Sequence, residues 1–576
     1  MSRAVIALPA AQVCVRRLFT ESAQRVHGSF ARAAEDGRRS GRRPDRGEMR
    51  LRHPRGPDTE EEPPHMNRRA TVLYRLVAAS VLALAGGLLA GAAAPPRAAA
   101  SESGKGRLVR VEPTDPLVAA TERARRRSGA AVHAVTLVAA PTTIRLGGRA
   151  VKTWAFNGGV PGPRISLRAG EVLRARVENR LPAPLTVHWH GIALRNDMDG
   201  VPGLTQKAIK PGGTFVYQFN VPDPGTFFYH SHVGTQLDRG LYGPLIVQPA
   251  TAGSVPRREI TLLLDDWVDG TGRTPDQVYA KLRAGTPGMA PMPGMDMGNG
   301  MSKPSLQHPL GTDTSDVNYP LYLINGRPPT DPAVYRVRPG ERIRLRLINA
   351  GSDTPFRVAL GGSHLTVIAA DGYPLKPVTV DTLLIGMGER YDVLVTVPRS
   401  GVFPLVAAVE GKKQGEALAV LRAGAGPAPS PRVRPKQLSG KLLSYRDLRP
   451  TASDALPAGK PDQTYTVALT GNMKSYRWGA KAATTDGVTL PVRVGRRVRL
   501  VLENRTMMWH PIHLHGHTFQ VDTGAAPGPR KDTVIVPPMG RVAVDLIADN
   551  PGQWALHCHN IYHADAGMLT VLSYVK

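Results

Sequence analysis

The sequence predicts an all-β chain of three consecutive β-sandwiches of Greek-key type, and three observations predict it. First, three segments share a Gly followed nine residues later by Asn, with alternating Arg and aliphatic residues between: Gly170 to Asn179 (GEVLRARVEN), Gly340 to Asn349 (GERIRLRLIN) and Gly495 to Asn504 (GRRVRLVLEN). Each reads as a turn feeding a half-buried strand. Second, each copy is followed by another matched signal: Pro224-Gly225 ahead of FFYHSH, Ser400-Gly401 ahead of PLVAAV, and Pro551-Gly552 ahead of WALHCH. Third, the chain is rich in Gly (60) and Pro (52) and has little helical periodicity, as short strands joined by turns require. Its 576 residues are enough for three or four domains. The expected boundaries are 101–252, 253–428 and 429–576, with GAGPAPSPRVRP marking the second linker.

Taken in order, residues 1–65 are rich in Arg, Glu and Pro without a sustained hydrophobic period, and read as a disordered extension or a start called too far upstream. From Met66 the run MNRRATVLYRLVAASVLALAGGLLAGAAAPPRAAAS has a basic start, an uncharged stretch from Leu76 to Pro96, and Ala98 and Ala100 of an A-x-A cleavage site. Residues 66–100 therefore read as an export signal, with Arg68 and Arg69 resembling a twin-arginine pattern. The uncharged stretch is just long enough to span a bilayer, but its many Ala and Gly residues and the cleavage site favour removal. The expected product is exported to the periplasm, the cell envelope or the medium and keeps no stable membrane span. The net charge of +28 does not point to nucleic acid, because the Arg residues are spread along predicted strands rather than clustered with aromatics. Cys14 and Cys558 are the only cysteines, which excludes a disulfide framework.

The repeats show where chemistry is placed. Five and seven residues after Gly225 stand His230 and His232; five and seven after Gly552 stand His557 and His559; the same offsets from Gly401 give Val406 and Ala408. The middle domain is thus expected to carry no ligand and to act as a spacer that holds the outer two face to face. Two further pairs, His188 with His190 and His513 with His515, make four H-x-H pairs, two in each outer domain. On an extended strand the members of a pair share a face roughly 6–7 Å apart, which suits two neighbouring metal ions better than chelation of one.

The stretch HCHNIYHADAGM joins these pairs to a second site. Cys558, His563 and Met568 offer a thiolate, an imidazole and a thioether, and His510 in HPIHLHGH supplies the second imidazole of a His2Cys blue-copper set with axial Met. Side chains alternate along a strand, so His557 and His559 point away from Cys558 and serve metals behind it. Zinc does not use such a set and leaves eight further histidines unexplained. His133, His308, His364 and His517 fall outside the pattern and read as structural or surface residues.

Together, HWHG, HSH, HPIHLHGH and HCHNIYHADAGM resemble the multicopper oxidases, the family of laccases and bacterial cuprous oxidases, from about Thr136 to the end. The resemblance implies three cupredoxin-like domains and four copper ions. It implies a type 1 copper on His510, Cys558 and His563 with Met568 axial, a type 2 copper on His188 and His513, and a type 3 pair on His190, His230, His232, His515, His557 and His559. It further implies that O2 is reduced to water with electrons from a one-electron donor. Asp199 matches an acid that the family places near the type 2 copper, where a carboxylate can relay protons; a turn role in Asp-Gly is the alternative. Many bacterial relatives carry Glu where this chain has Ala564, and Asp565 is the nearest substitute.

The donor is read from residues 288–301, where Met289, Met292, Met295, Met297 and Met301 stand in a Gly- and Pro-rich loop. Thioethers select Cu(I), so the loop is expected to capture it, and Cu(I) oxidation in copper tolerance is the leading reading. An axial Met implies a low to moderate potential, suited also to phenols, Mn(II) or Fe(II). A copper-buffering protein without turnover does not explain the eight paired histidines, and a copper nitrite reductase lacks a three-metal cluster.

Overall fold

A computed structural model of the chain describes residues 107–251, 258–285, 305, 308–311, 313–524 and 526–576. The extension 1–65 with Cys14, the signal at 66–100 and the five methionines of the 288–301 loop lie outside the described residues.

Strands pair into three successive two-sheet sandwiches of the cupredoxin type, with four plus four strands, then six plus five, then six plus five with a small two-stranded ribbon. The three repeat strands, Val172–Asn179, Arg342–Asn349 and Arg497–Asn504, occupy the same place in each. Each runs parallel to the first long strand of its domain and antiparallel to a later one. Alternation explains the pattern: in Val172–Asn179 the aliphatic Leu173, Ala175 and Val177 are buried while Arg174 and Arg176 face outward. Both ends of the repeat have a physical reason. Gly170, Gly340 and Gly495 sit in the turns at φ +89°, +75° and +83°, a region that favours glycine. At the other end, the Asn179, Asn349 and Asn504 amides are buried and serve backbone groups that leave the sheet. Asn179 donates to Ala183 and Ile209 carbonyls at 2.9 and 2.8 Å and accepts from Leu181 N at 3.0 Å. Asn349 and Asn504 repeat this with Thr354, Ile385 and Gly351, and with Met508, Pro537 and Thr506.

One apolar core fills the first sandwich around Trp189, Tyr217, Phe219 and Tyr229, and another runs through the second and third. Between first and third, the Asn196 side chain donates to Gln553 O at 2.7 Å and accepts from Gln553 N at 2.9 Å, while Asn550 donates to Leu194 O at 2.9 Å. No helix among the described residues is long and apolar enough to cross a membrane.

Candidate metal centre

In each outer sandwich the two H-x-H strands are direct neighbours. Strand Val187–His190 pairs antiparallel with Gly225–Ser231, setting His188 opposite His230, and His510–Leu514 pairs with Gln553–Cys558, setting His513 opposite His557. The rings within a pair stand 5.7, 6.1, 4.9 and 6.0 Å apart in chain order. The 4.9 Å value, for His513 and His515, falls below the spacing expected for an extended strand.

The eight rings interleave across the seam. His188 stacks on His515 at 3.7 Å and His190 on His513 at 3.8 Å. Backbone carbonyls hold the Nδ1 atoms of His188, His230, His513 and His557 through Asp199, Ser231, Asp532 and Cys558, at 2.8–2.9 Å. The Nε2 atoms of these rings are thereby turned inward. His188 and His513 face each other Nε2 to Nε2 at 3.4 Å. His557 Nε2 meets His515 Nε2 at 2.9 Å and His232 Nε2 at 3.5 Å. Among the described residues His190 Nδ1, His230 Nε2 and both nitrogens of His559 have no hydrogen-bond partner although they are buried. Such orphaned lone pairs in a dry site call for a cation. Burial pushes His190, His230, His232, His515 and His559 well below the ordinary histidine range, and His557 down to about 3. They are neutral at pH 7, the form that ligates metal.

The second constellation is built around Cys558. Its Sγ lies 3.8 Å from both His510 Nδ1 and His563 Nδ1, and those two nitrogens are 3.2 Å apart. The three donors converge closely enough to share one ion. A local device places His563: the strand stops at Cys558, and Asn560 caps a short helix, Ile561–Asp565, by accepting from Tyr562 N and His563 N at 3.1 and 3.2 Å. Beyond it the chain folds back, with Met568 N on His563 O and Cys558 N on Met568 O at 2.9 and 3.0 Å, bringing the Met568 backbone beside that of Cys558. Burial pushes the Cys558 thiol up, so its thiolate form requires a positive charge at this point.

Asp199 is fully buried, with its two carboxylate oxygens 3.2 and 3.0 Å from His515 Nδ1. Asp565 is elsewhere: its carboxyl is hydrogen-bonded to Tyr279 on the helix Pro275–Ala284, and none of its interactions joins it to the eight histidines. His517 bonds Tyr574 Oη at 2.7 Å, and the partly exposed His364 pairs with Asp381.

The middle sandwich has no histidine at the ligand offsets, and it also makes contacts with the outer two. Val406 and Ala408 are indeed buried apolar residues at the ligand offsets. Yet the domain reaches both constellations with residues outside those offsets. Asp316 accepts from His563 Nε2 at 2.9 Å and from Tyr476 Oη at 2.6 Å. Arg390 forms a fork to Asp532 at 2.7 and 2.6 Å. Burial alone would raise the Asp532 carboxyl, but the adjacent Arg390 guanidinium holds it well below the usual range. Asp532 and Thr533 in turn touch His190 and His513. Neither Asp316, Arg390 nor Asp532 falls in a ligand-like spacing; the available signal was a charged Lys531-Asp532 pair leading into the apolar TVIV run.

Comparison with known proteins follows the same lines. Profiles described as multicopper oxidase match residues 138–252, 258–426 and 459–575. Multicopper oxidase MmcO of Mycobacterium tuberculosis is 47% identical over 463 residues, which cover 79% of this chain and 90% of that protein. A copper resistance protein A homolog of Pseudomonas syringae pv. tomato is 32% identical over 539 residues, covering 74% and 90%. Among solved structures, a laccase from Botrytis aclada is similar with a TM-score of 0.63 at 27% identity, over 78% of this chain and 88% of that one. A multi-copper oxidase from Pseudomonas thermotolerans gives 0.57 at 28%, over 77% and 100%. With family profiles matched along all three sandwiches, the chain belongs to the multicopper oxidases and is an oxidoreductase that uses oxygen.

Proposed function

We propose that the chain is an exported cuprous oxidase with four coppers. His510, Cys558 and His563, together with Met568, would hold the type 1 ion, and His188 and His513 the type 2 ion. Of the type 3 pair, one ion would fall to His232, His515 and His557, the other to His190, His230 and His559. The chemistry such ions supply is one-electron oxidation of a donor at the thiolate site and four-electron reduction of O2 to water at the histidine cluster. The single observation that carries this reading is Cys558 lying between His557 and His559 on one backbone, with its Sγ turned to His510 and His563. A covalent path, shortened by the 2.8 Å contact of Cys558 O with His557 Nδ1, therefore links the two constellations. Asp199, against His515, is the acid suited to passing protons in. The outlying Asp565 is less suited to that task.

The donor reading rests on the edge of His563. Its ring is 1% exposed, tilted against Trp478 at 4.1 Å, with Nε2 taken by Asp316, so a bulky phenol has no direct hydrogen bond to make there. Carboxylates at Asp316 and Asp313 suit a small cation, and the thioethers of 288–301 suit Cu(I). Phenols, Mn(II) and Fe(II) remain the alternative donors. Oxygen uptake by copper-loaded protein should be driven faster by Cu(I) than by a phenol, and removal of 288–301 should slow only the Cu(I) reaction. Equal loss with both donors, or none, sinks the cuprous assignment. No uptake with either removes the oxidase reading for this site.

A further inference from the structure

One buried side chain of the middle sandwich touches all three domains. Arg390 uses its five N–H donors on Thr226 O (3.0 Å) in the first sandwich, Gly388 O (2.9 Å) and Asp371 O (3.1 Å) in the second, and Asp532 Oδ1 and Oδ2 (2.7 and 2.6 Å) in the third. Its side chain and that of Asp532 are both 0% exposed. Behind them, Asp371 accepts from the backbone N–H of Asp532 and Thr533 at 3.2 Å and pairs with Lys531 at 3.0 Å, and Lys531 also pairs with Glu389. This is a fully desolvated lattice that fixes the Asp532 carboxylate in one orientation.

The consequence falls on His190. The neighbouring cluster rings His188, His230, His513 and His557 have Nδ1 held by a carbonyl and Nε2 left for an ion. His190 is the reverse: Nε2 lies 3.1 Å from Asp532 Oδ1, and Nδ1 is the buried nitrogen without a partner. A carboxylate paired to Arg can only accept, so Nε2 must carry the proton and Nδ1 the free lone pair. The same Oδ1 also accepts from Thr533 Oγ1 at 2.8 Å, and that hydroxyl is 3.2 Å from His513 Nδ1. Geometry at Gly191 matches: a Cβ there would press into Arg390 and lie 2.8 Å from Asp532 Oδ2, so the residue after His190 leaves room for the fork.

We propose that Arg390 is a positioning residue for the histidine cluster, locking Asp532 so that His190 keeps the tautomer that turns Nδ1 toward the metal. The inference rests on the copper reading of the cluster, and its test separates the two. Arg390→Lys keeps a charge but loses the planar fork; Asp532→Ala removes the acceptor from His190 Nε2. Full-length wild type and both variants are loaded with copper, then followed during chelator competition by copper per chain, the type 2 EPR signal and the blue thiolate band. The expected result is that both variants release cluster copper about 10–100-fold more readily with an altered type 2 signal, while the blue band is kept. Unchanged retention and an unchanged type 2 signal in both would overturn the proposal. So would loss of the blue band in step with the cluster, or failure of both variants to fold, since each assigns Arg390 to the fold as a whole. If wild type itself takes up no copper at the histidines, the metal reading fails before any variant is compared.

Discussion

Replacing Asp316 by Asn should raise the potential of the proposed type 1 site by roughly 50–100 mV. The carboxylate sits 2.9 Å from His563 Nε2, and the side chains of the two residues are 0% and 1% exposed, so little solvent screens it. An ion held at the opposite ring nitrogen would lie roughly 7 Å from the nearer oxygen, allowing about 2 Å for a metal–nitrogen bond. At an effective dielectric of about 20, a unit charge at that distance favours the more positive copper state by about 2.4 kcal/mol. For a one-electron couple, at about 59 mV per tenfold, that is roughly 100 mV. Asn retains an oxygen able to accept from Nε2, so the hydrogen bond survives and the lost charge dominates; partial screening sets the lower bound. The assay is an anaerobic redox titration of the blue band near roughly 600 nm. A shift under about 20 mV, or a fall in potential, would show that the ion is not held by His563.

Three other outcomes are expected. Asp199→Asn should keep its copper, because the amide oxygen can still accept from His515 Nδ1, and should lose about 10²–10³ in steady-state oxygen uptake; loss of copper instead would reassign Asp199 to holding the ring. Copper-free protein should lose stability as pH falls below about 6.5. Buried His517 and His557 are depressed to about 4 and about 3, so the unfolded chain takes up protons first, and each histidine costs up to about 1.4 kcal/mol per pH unit across that window. Urea midpoints measured in chelator from pH 7 to 4 check this, and a flat profile refutes it. Gly191→Ala, at φ +87° and against Arg390, should destabilise by about 2–4 kcal/mol in denaturant titration; a neutral change would mean that the fork readily moves aside.

The histidines were legible because their signal is local and repeated. H-x-H reports its own geometry on a strand, and the offsets from Gly225 and Gly552 recur between domains, so four pairs could be matched without knowing the fold. Cys558 with His563 and Met568 was legible for the same reason, although the capped helix that carries His563 was not: Asn560 acts through two backbone N–H groups that no periodicity announces. Asp316, Arg390 and Asp532 were hard to find because each meets a key partner in another sandwich, His563, Asp532 and His190, at 247, 142 and 342 residues in sequence. Asp565 was chosen for adjacency in sequence, and the helix turned it toward Tyr279 instead. A domain without ligands at the repeat offsets can also supply groups behind them, as Asp316 and Arg390 do.

The seam between the outer sandwiches has a mechanical consequence. Eight imidazole rings, four from each wall, meet there with ring nitrogens converging, and lone pairs facing one another repel. A chain folded under copper starvation would therefore carry its weakest plane through its own centre, and loading would rivet that plane shut. Proteolysis of the seam would then report on the metal supply of the cell in which the protein was made.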